Sequence, residues 1–308
     1  MFAGHAVLLA LRSEIDRIAN VTKFNGKALL SGAAASTNLQ VGIYNTANDR
    51  KMYFITATHC EVTAGTAPSL VVVWNFQSPT CRNPGSSASG SPAVVGSLAQ
   101  FNSGAVFRAA TNNPFAGGGA AGTRSDNTLL ELDDPADPAF NLYWAGWDRS
   151  NVGATCTAQN RCASIHHPDG DEKRITFSRT NLVQGDINFA TGVHWFVQWD
   201  ETPVPLPNMV NPPAILQPSV TEPGSSGSPL YNASHRLVGV LSGGASFCGA
   251  GSADLNDLYG KIAHAWDGLG TPSTRLRDWL DPGSSGAQTL DGLDSAAPGD
   301  LILQNGFE

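Results

Sequence analysis

The chain has 308 residues, 14% of them charged, with 33 Gly and 19 Pro; this size can bury a full core, and low charge with many turn formers suits an all-β extracellular protein better than a helical cytosolic one. The formal charge is −8 and Lys and Arg form no dense cluster, so nucleic acid is not an expected partner. No apolar run reaches the ~18 residues needed to cross a bilayer, and the first ten residues lack the basic start and small-residue cleavage site of a secretion signal.

Leu8, Leu11, Ile15 and Ile18 recur at helical spacing among Arg12, Glu14, Asp16 and Arg17, which predicts an amphipathic helix. Asn25-Gly26 then marks a tight turn. From residue 51 the pattern changes to short apolar runs at 52–56, 70–74, 128–132, 140–145, 193–199 and 236–241, separated by turn-rich stretches such as 83–92 and 113–122. Short strands with frequent turns predict a β-barrel or sandwich. Ser273 precedes 274–280, which reads as a short capped helix, and 295–308 form a tail.

There are five cysteines: Cys60, Cys81, Cys156, Cys162 and Cys248. Cys156 and Cys162 lie six apart in a polar loop and are expected to close a small disulfide. No C-x-x-C spacing occurs, and neither a metal nor a cofactor is expected.

Acyl transfer by serine needs a nucleophilic hydroxyl, a base and donors for the developing oxyanion. Ser226 sits in Glu222-Pro-Gly-Ser-Ser-Gly-Ser-Pro-Leu230, where the N–H groups of Gly224 and Ser226 can converge as an oxyanion hole. A Gly/Ser linker is the competing reading, and Pro282-Gly-Ser-Ser-Gly286 repeats the same five residues. Only the first copy leads into Ser-Pro-Leu-Tyr and an apolar strand, so context selects Ser226 over Ser285. His59 ends the apolar run Met52-Tyr-Phe-Ile-Thr-Ala-Thr-His-Cys60 and is the candidate base. Asp126, just before the buried run 128–132, is the candidate orienter of the imidazole. Read alone, each would be an ordinary histidine or turn aspartate; together they make the set His59, Asp126, Ser226. The pair His166-His167 has no such partners and reads as structural, with metal ligation as the open alternative.

These motifs resemble those of the bacterial lysyl endopeptidases, a branch of the chymotrypsin-like serine proteases, over about residues 45–295. Asn45-Thr-Ala-Asn-Asp-Arg-Lys-Met-Tyr-Phe54, Asn141-Leu-Tyr-Trp-Ala-Gly-Trp-Asp-Arg149, Ile165-His-His-Pro168, Glu172-Lys-Arg-Ile175 and the stretch around Ser226 carry the likeness in order. It implies an all-β fold of two six-stranded antiparallel β-barrels of the chymotrypsin/trypsin type, with a short C-terminal helix. It further implies that Asp257 pairs with a basic side chain of the substrate, and that Ser242, Gly243 and Gly244 wall the substrate backbone. The family has His where Ser242 stands and a Trp near Asp186 that is missing here, so Lys preference with Arg also accepted is the expectation. Ser225 stands where trypsin-type enzymes carry the Asp that pairs with a freed amino terminus, so that form of activation is not expected.

Residues 1–44 resemble flagellin instead, through Leu11-Arg-Ser-Glu-Ile-Asp-Arg-Ile-Ala-Asn20, Phe24-Asn-Gly-Lys-Ala-Leu-Leu-Ser-Gly32 and Leu39-Gln-Val-Gly42. In the lysyl endopeptidases this region carries opening strands of the first barrel and three cysteines that pair with those matching Cys60, Cys81 and Cys248. The expected organisation is therefore a foreign helical segment (1–44), an incomplete first barrel half (45–135), a second half (136–295) and a tail (296–308), with three orphan cysteines. The expected function is a secreted, monomeric serine endopeptidase acting on polypeptides, with neither nucleic acid nor membrane as partner. An impaired protease-like module and a flagellar or surface-interaction protein are the alternatives.

Overall fold

The computed structural model describes residues 23–24, 27–28, 41–49, 51–77, 96–117, 120–201 and 220–294. The helix expected around 8–18, Cys81 and the tail lie outside them. Strands β1 (Lys23–Phe24) and β2 (Lys27–Ala28) pair antiparallel on either side of Asn25-Gly26.

A four-stranded antiparallel sheet follows, ordered β3 (Val41–Ile43), β4 (Tyr53–Thr56), β8 (Thr128–Leu132), β7 (Ala105–Ala110). Beside it, β5 (Val71–Val73) pairs with β6 (Phe101–Ser103). Tyr53, Phe54 and Ile55 are all buried because the sheet is covered on both faces. Phe54 and Leu130 enter one core with Val72, Trp74 and Trp144. Tyr53, Ile55 and Leu129 enter another, made with Trp147, Leu237, Val240, Ile262, Trp266 and Leu280. Burial on both faces explains why this strand reads as a continuous apolar run rather than an alternating one.

The larger sheet has nine strands. Its path runs β12 (Arg174–Ser178), β11 (Cys162–His166), β15 (Pro229–Tyr231), β16 (Leu237–Gly244), β17 (Asn256–Lys261), β14 (Ala190–Gln198), β13 (Val183–Ile187). Off this path, β10 (Trp147–Asp148) pairs with β16 and with β18 (Thr289–Leu290), which completes the nine; β9 (Tyr143–Trp144) and β19 (Leu293–Asp294) form a separate two-stranded sheet. The all-β class therefore holds. No closed barrel forms among the described residues: β12 and β13 end the large sheet without pairing to each other, and β3 and β7 do the same in the small one.

Two α-helices occur among the described residues, α1 (Ile262–Asp267) and α2 (Arg277–Leu280). The second is a shortened form of the expected helix at 274–280. The first was not expected; its six residues are too few to set up a period, although Ile262, Ala265 and Trp266 share its buried face. Both helices pack into the core shared with β4, where Trp266 meets Trp147 at 4.5 Å between ring centroids. No helix among the described residues is long and apolar enough to cross a membrane.

Candidate active site

Strand register brings His59 to Asp126. Thr56 lies opposite Thr128 in the antiparallel β4–β8 pair, so the chain two residues beyond Thr56 falls opposite the chain two residues before Thr128. There the Thr58 N–H donates to the Asp126 carbonyl at 3.2 Å. The His59 N–H donates to Asp126 Oδ1 at 2.9 Å, and His59 Nδ1 lies 2.7 Å from Asp126 Oδ2. A carboxylate only accepts, so Nδ1 carries the proton; in the neutral imidazole Nε2 then keeps its lone pair. Asp126 is fully buried at 0% exposure and has φ 57°, a left-handed conformation that Asp tolerates better than most residues.

The loop around Asp126 is braced from below. The Asn127 N–H donates to Thr111 Oγ1 at 2.9 Å, and Asp126 N–H to the Asn112 carbonyl at 3.3 Å. Buried Arg124 donates from Nη1 to the carbonyls of Asn113 and Ala116. That holds the loop carrying Phe115, whose ring meets His59 edge-on at 5.1 Å between centroids.

Ser226 is half-buried on a loop tied in turn-like steps. The Ser225 N–H donates to the Glu222 carbonyl and the Ser228 N–H to the Ser225 carbonyl, both at 3.0 Å. Gly227 donates to the Leu241 carbonyl at 2.9 Å, which fastens the loop to β16. Gly227 has φ 81°, and a Cβ on it would lie 2.4 Å from Thr56 Oγ1 and 2.9 Å from the Ala57 nitrogen. The residue after Ser226 is thus pressed against the strand end that carries His59. Among the described residues no hydrogen bond joins Ser226 to His59, and the Gly224 and Ser226 N–H groups have no acceptor. Serine–histidine bonds of this kind tighten only with substrate in many enzymes.

His166 braces the same loop, with Nδ1 3.0 Å from Ser225 Oγ. Burial, then the charges of His167 and Arg174, push its pKa down to about 3. His167 Nδ1 donates to the Asp171 carbonyl at 2.8 Å, and its ring stacks on Phe76. No cluster of metal-binding side chains occurs among the described residues. The second Gly-Ser-Ser-Gly copy is a turn built on Asp281, which accepts from the Ser285 hydroxyl at 2.7 Å and from the N–H groups of Ser285 and Gly286.

Asp257 is 1% exposed on β17, opposite Gly244. Its Oδ2 accepts from Trp199 Nε1, Thr221 Oγ1 and Ser246 Oγ. Burial pushes the carboxyl pKa upward against these three bonds. A Cβ on Gly244 would lie 2.1 Å from Asp257 Oδ1, so only a glycine lets the β16 backbone pass this close to the carboxylate. Ser242 and Gly243 precede it on β16, and a Cβ on Gly243 would sit 3.6 Å from Phe115 and 3.8 Å from Ile187. The sequence did not foretell the parts played by Phe115, Trp199, Thr221 and Ser246, which come from distant loops. Cys156 and Cys162 form the expected disulfide; Cys60 and Cys248 are free thiols.

A family model described as lysyl endopeptidase, C-terminal domain, matches residues 26–260. The match opens inside the stretch that resembles flagellin and closes just before α1. The lysyl endopeptidase of Pseudomonas aeruginosa is 27% identical over 218 residues, covering 70% of this chain and 38% of that protein. The chain thus spans about two fifths of the length of this curated relative. Among solved structures, the Rv3671c protease from M. tuberculosis in its active form is similar at TM-score 0.37 and 11% identity, over 79% of this chain and 83% of that one. The HtrA-type protease AlgW with a decapeptide is similar at TM-score 0.34 and 14% identity, over 73% of this chain and 47% of that one.

Proposed function

The chain belongs to the lysyl endopeptidase C-terminal domain family, and from that premise we propose that it is a serine endopeptidase cutting polypeptides after basic residues, Lys before Arg. The observation that carries the reading is the clasp of His59 on buried Asp126, with both carboxylate oxygens engaged and the Ser226 loop packed on the same strand end.

In the proposed reaction His59 Nε2 takes the Ser226 hydroxyl proton as the oxygen attacks the carbonyl carbon. Asp126 holds the imidazole by Nδ1 and stabilises the imidazolium that forms. The N–H groups of Gly224 and Ser226 receive the oxyanion, for which their lack of other acceptors among the described residues suits them. The imidazolium returns its proton to the leaving amine, and water then releases the acyl group by the same steps. Asp257 is the anionic partner of the basic side chain: a buried carboxylate whose charge is costly when alone favours a substrate that brings a cation. Ser242, Gly243 and Gly244 offer a slim wall along the peptide backbone. We further infer a monomeric secreted enzyme, in keeping with the cystine and the low charge.

The test is cleavage of a peptide anilide with Lys at P1 by the wild type and by Ser226→Ala. We expect turnover by the wild type and a fall of about 10⁴-fold or more in the variant. Equal rates in both, or none in either, would reject the mechanism; the second outcome would favour an impaired protease-like module.

A further inference from the structure

One buried pair close to this site joins the wall residue Ser242 to a histidine that has no part in the mechanism above. His194 lies on β14 opposite Gly260 of β17, and Gly260 lies opposite Val240 of β16. Gly260 has no side chain, so the imidazole can cross it to the strand beyond. There His194 Nε2 is 2.9 Å from Ser242 Oγ, with the two residues 0% and 3% exposed.

The same gap receives the Asp126 loop. A Cβ on Gly260 would lie 1.8 Å from the Ser125 carbonyl oxygen and 3.2 Å from Asn127 Nδ2, the residues on either side of Asp126. His194 is near enough for the Asp126 charge to act on its ring. Its other nitrogen, Nδ1, is buried and unpartnered.

We propose that His194 is a positioning residue for the triad carboxylate: held uncharged, it crosses Gly260 to fix Ser242, and the two form the floor on which Ser125-Asp126-Asn127 rests. The proposal builds on the assignment of Asp126 to the triad. Its logic is electrostatic as well as steric. A charged imidazole in the field of Asp126 would compete with His59 for that carboxylate, whereas a neutral one supplies shape and a dipole without competing. Burial keeps the ring neutral, lowering its pKa to about 4; Asp126 and Asp186 pull upward, while Lys261 and His264 push down.

The test needs a readout that does not depend on turnover. The His59 Nδ1 proton, held by Asp126, gives a downfield proton resonance that reports this bond directly. His194→Phe and Ser242→Ala are expected to move it by similar amounts, and the double variant no further than either alone. His194→Gln, whose amide N–H can reach Ser242 as Nε2 does, is expected to recover most of the shift. With the Lys anilide, His194→Phe is expected to lose about tenfold in kcat at nearly constant KM, a size typical of small misplacements of catalytic groups, with His194→Gln recovering most of the loss. Should His194→Phe fail to fold, His194→Gln against the shorter His194→Asn makes the same comparison. An unmoved resonance in the variants, or additive effects in the double variant, overturns the proposal. A parent that shows the resonance yet cuts no peptide counts against the peptidase reading alone, and the shifts still decide the role of His194.

Discussion

At the scale of single residues, Asp257 offers the sharpest specificity test. Its three donors all gather on Oδ2, and the Gly244 backbone passes close beside Oδ1. Asp257→Asn would keep much of the bonding and remove the charge. Breaking a buried ion pair costs about 3–5 kcal/mol, so kcat/KM for Lys and Arg anilides is expected to fall by about 10²–10⁴. A neutral P1 substrate should be affected far less; equal losses for neutral and basic substrates would rule out a charge-reading role. The expectation that favours Ser226 over Ser285 rests on the apolar strand that follows Ser226 alone. Asp281 shows what the other copy is for: it gathers the Ser285 and Gly286 N–H groups into a turn. The company of Asp257 was not legible. Trp199, Thr221 and Ser246 are up to 58 positions away in sequence, and no local pattern marks residues that meet only through folding.

At the scale of elements, the pairing of β4 with β8 accounts for most of what could be read from sequence. Both strands are short apolar runs, and the residues that extend their shared register, Thr58 and Asp126, place His59 beside the carboxylate. Strand β17 was harder to anticipate, since Asn256-Asp-Leu-Tyr-Gly-Lys261 mixes polar and apolar residues and contains a glycine. That glycine is needed because the Ser125 carbonyl rests on it. Gly260→Ala would put a methyl 1.8 Å from this oxygen, and neither strand nor loop can yield without moving Asp126. Overpacking of this kind costs about 1–3 kcal/mol. We expect a matching loss in urea unfolding and at least a tenfold loss of kcat, beyond what instability explains at temperatures well below the melting transition. Full activity in a folded Gly260→Ala protein would mean that the Asp126 loop is not seated as described.

At the scale of the whole molecule, buried histidines set the acid limit. Burial lowers the pKa of His166 to about 3 and those of His167 and His194 to about 4, from 6.5. Between these values and 6.5 the unfolded chain binds more protons than the folded one, so stability rises with pH and falls as pH drops. Each histidine contributes up to about 1.4 kcal/mol per pH unit across that window. Asp257, shifted upward, acts in the opposite sense at acid pH. The melting temperature is therefore expected to decline steadily from pH 6.5 towards pH 4, and His167→Phe to flatten the slope. A melting temperature constant over this range would contradict the burial of these rings. The core that seats β4 carries a further implication, one of timing. Tyr53 and Ile55 share one core with Ile262, Trp266, Leu276 and Leu280, and the Thr46 N–H reaches the Leu280 carbonyl at 2.9 Å. A chain emerging from the ribosome holds His59, Asp126 and Ser226 long before it holds these partners. The newborn chain thus holds His59, Asp126 and Ser226 before the wall against which β4 packs has been made.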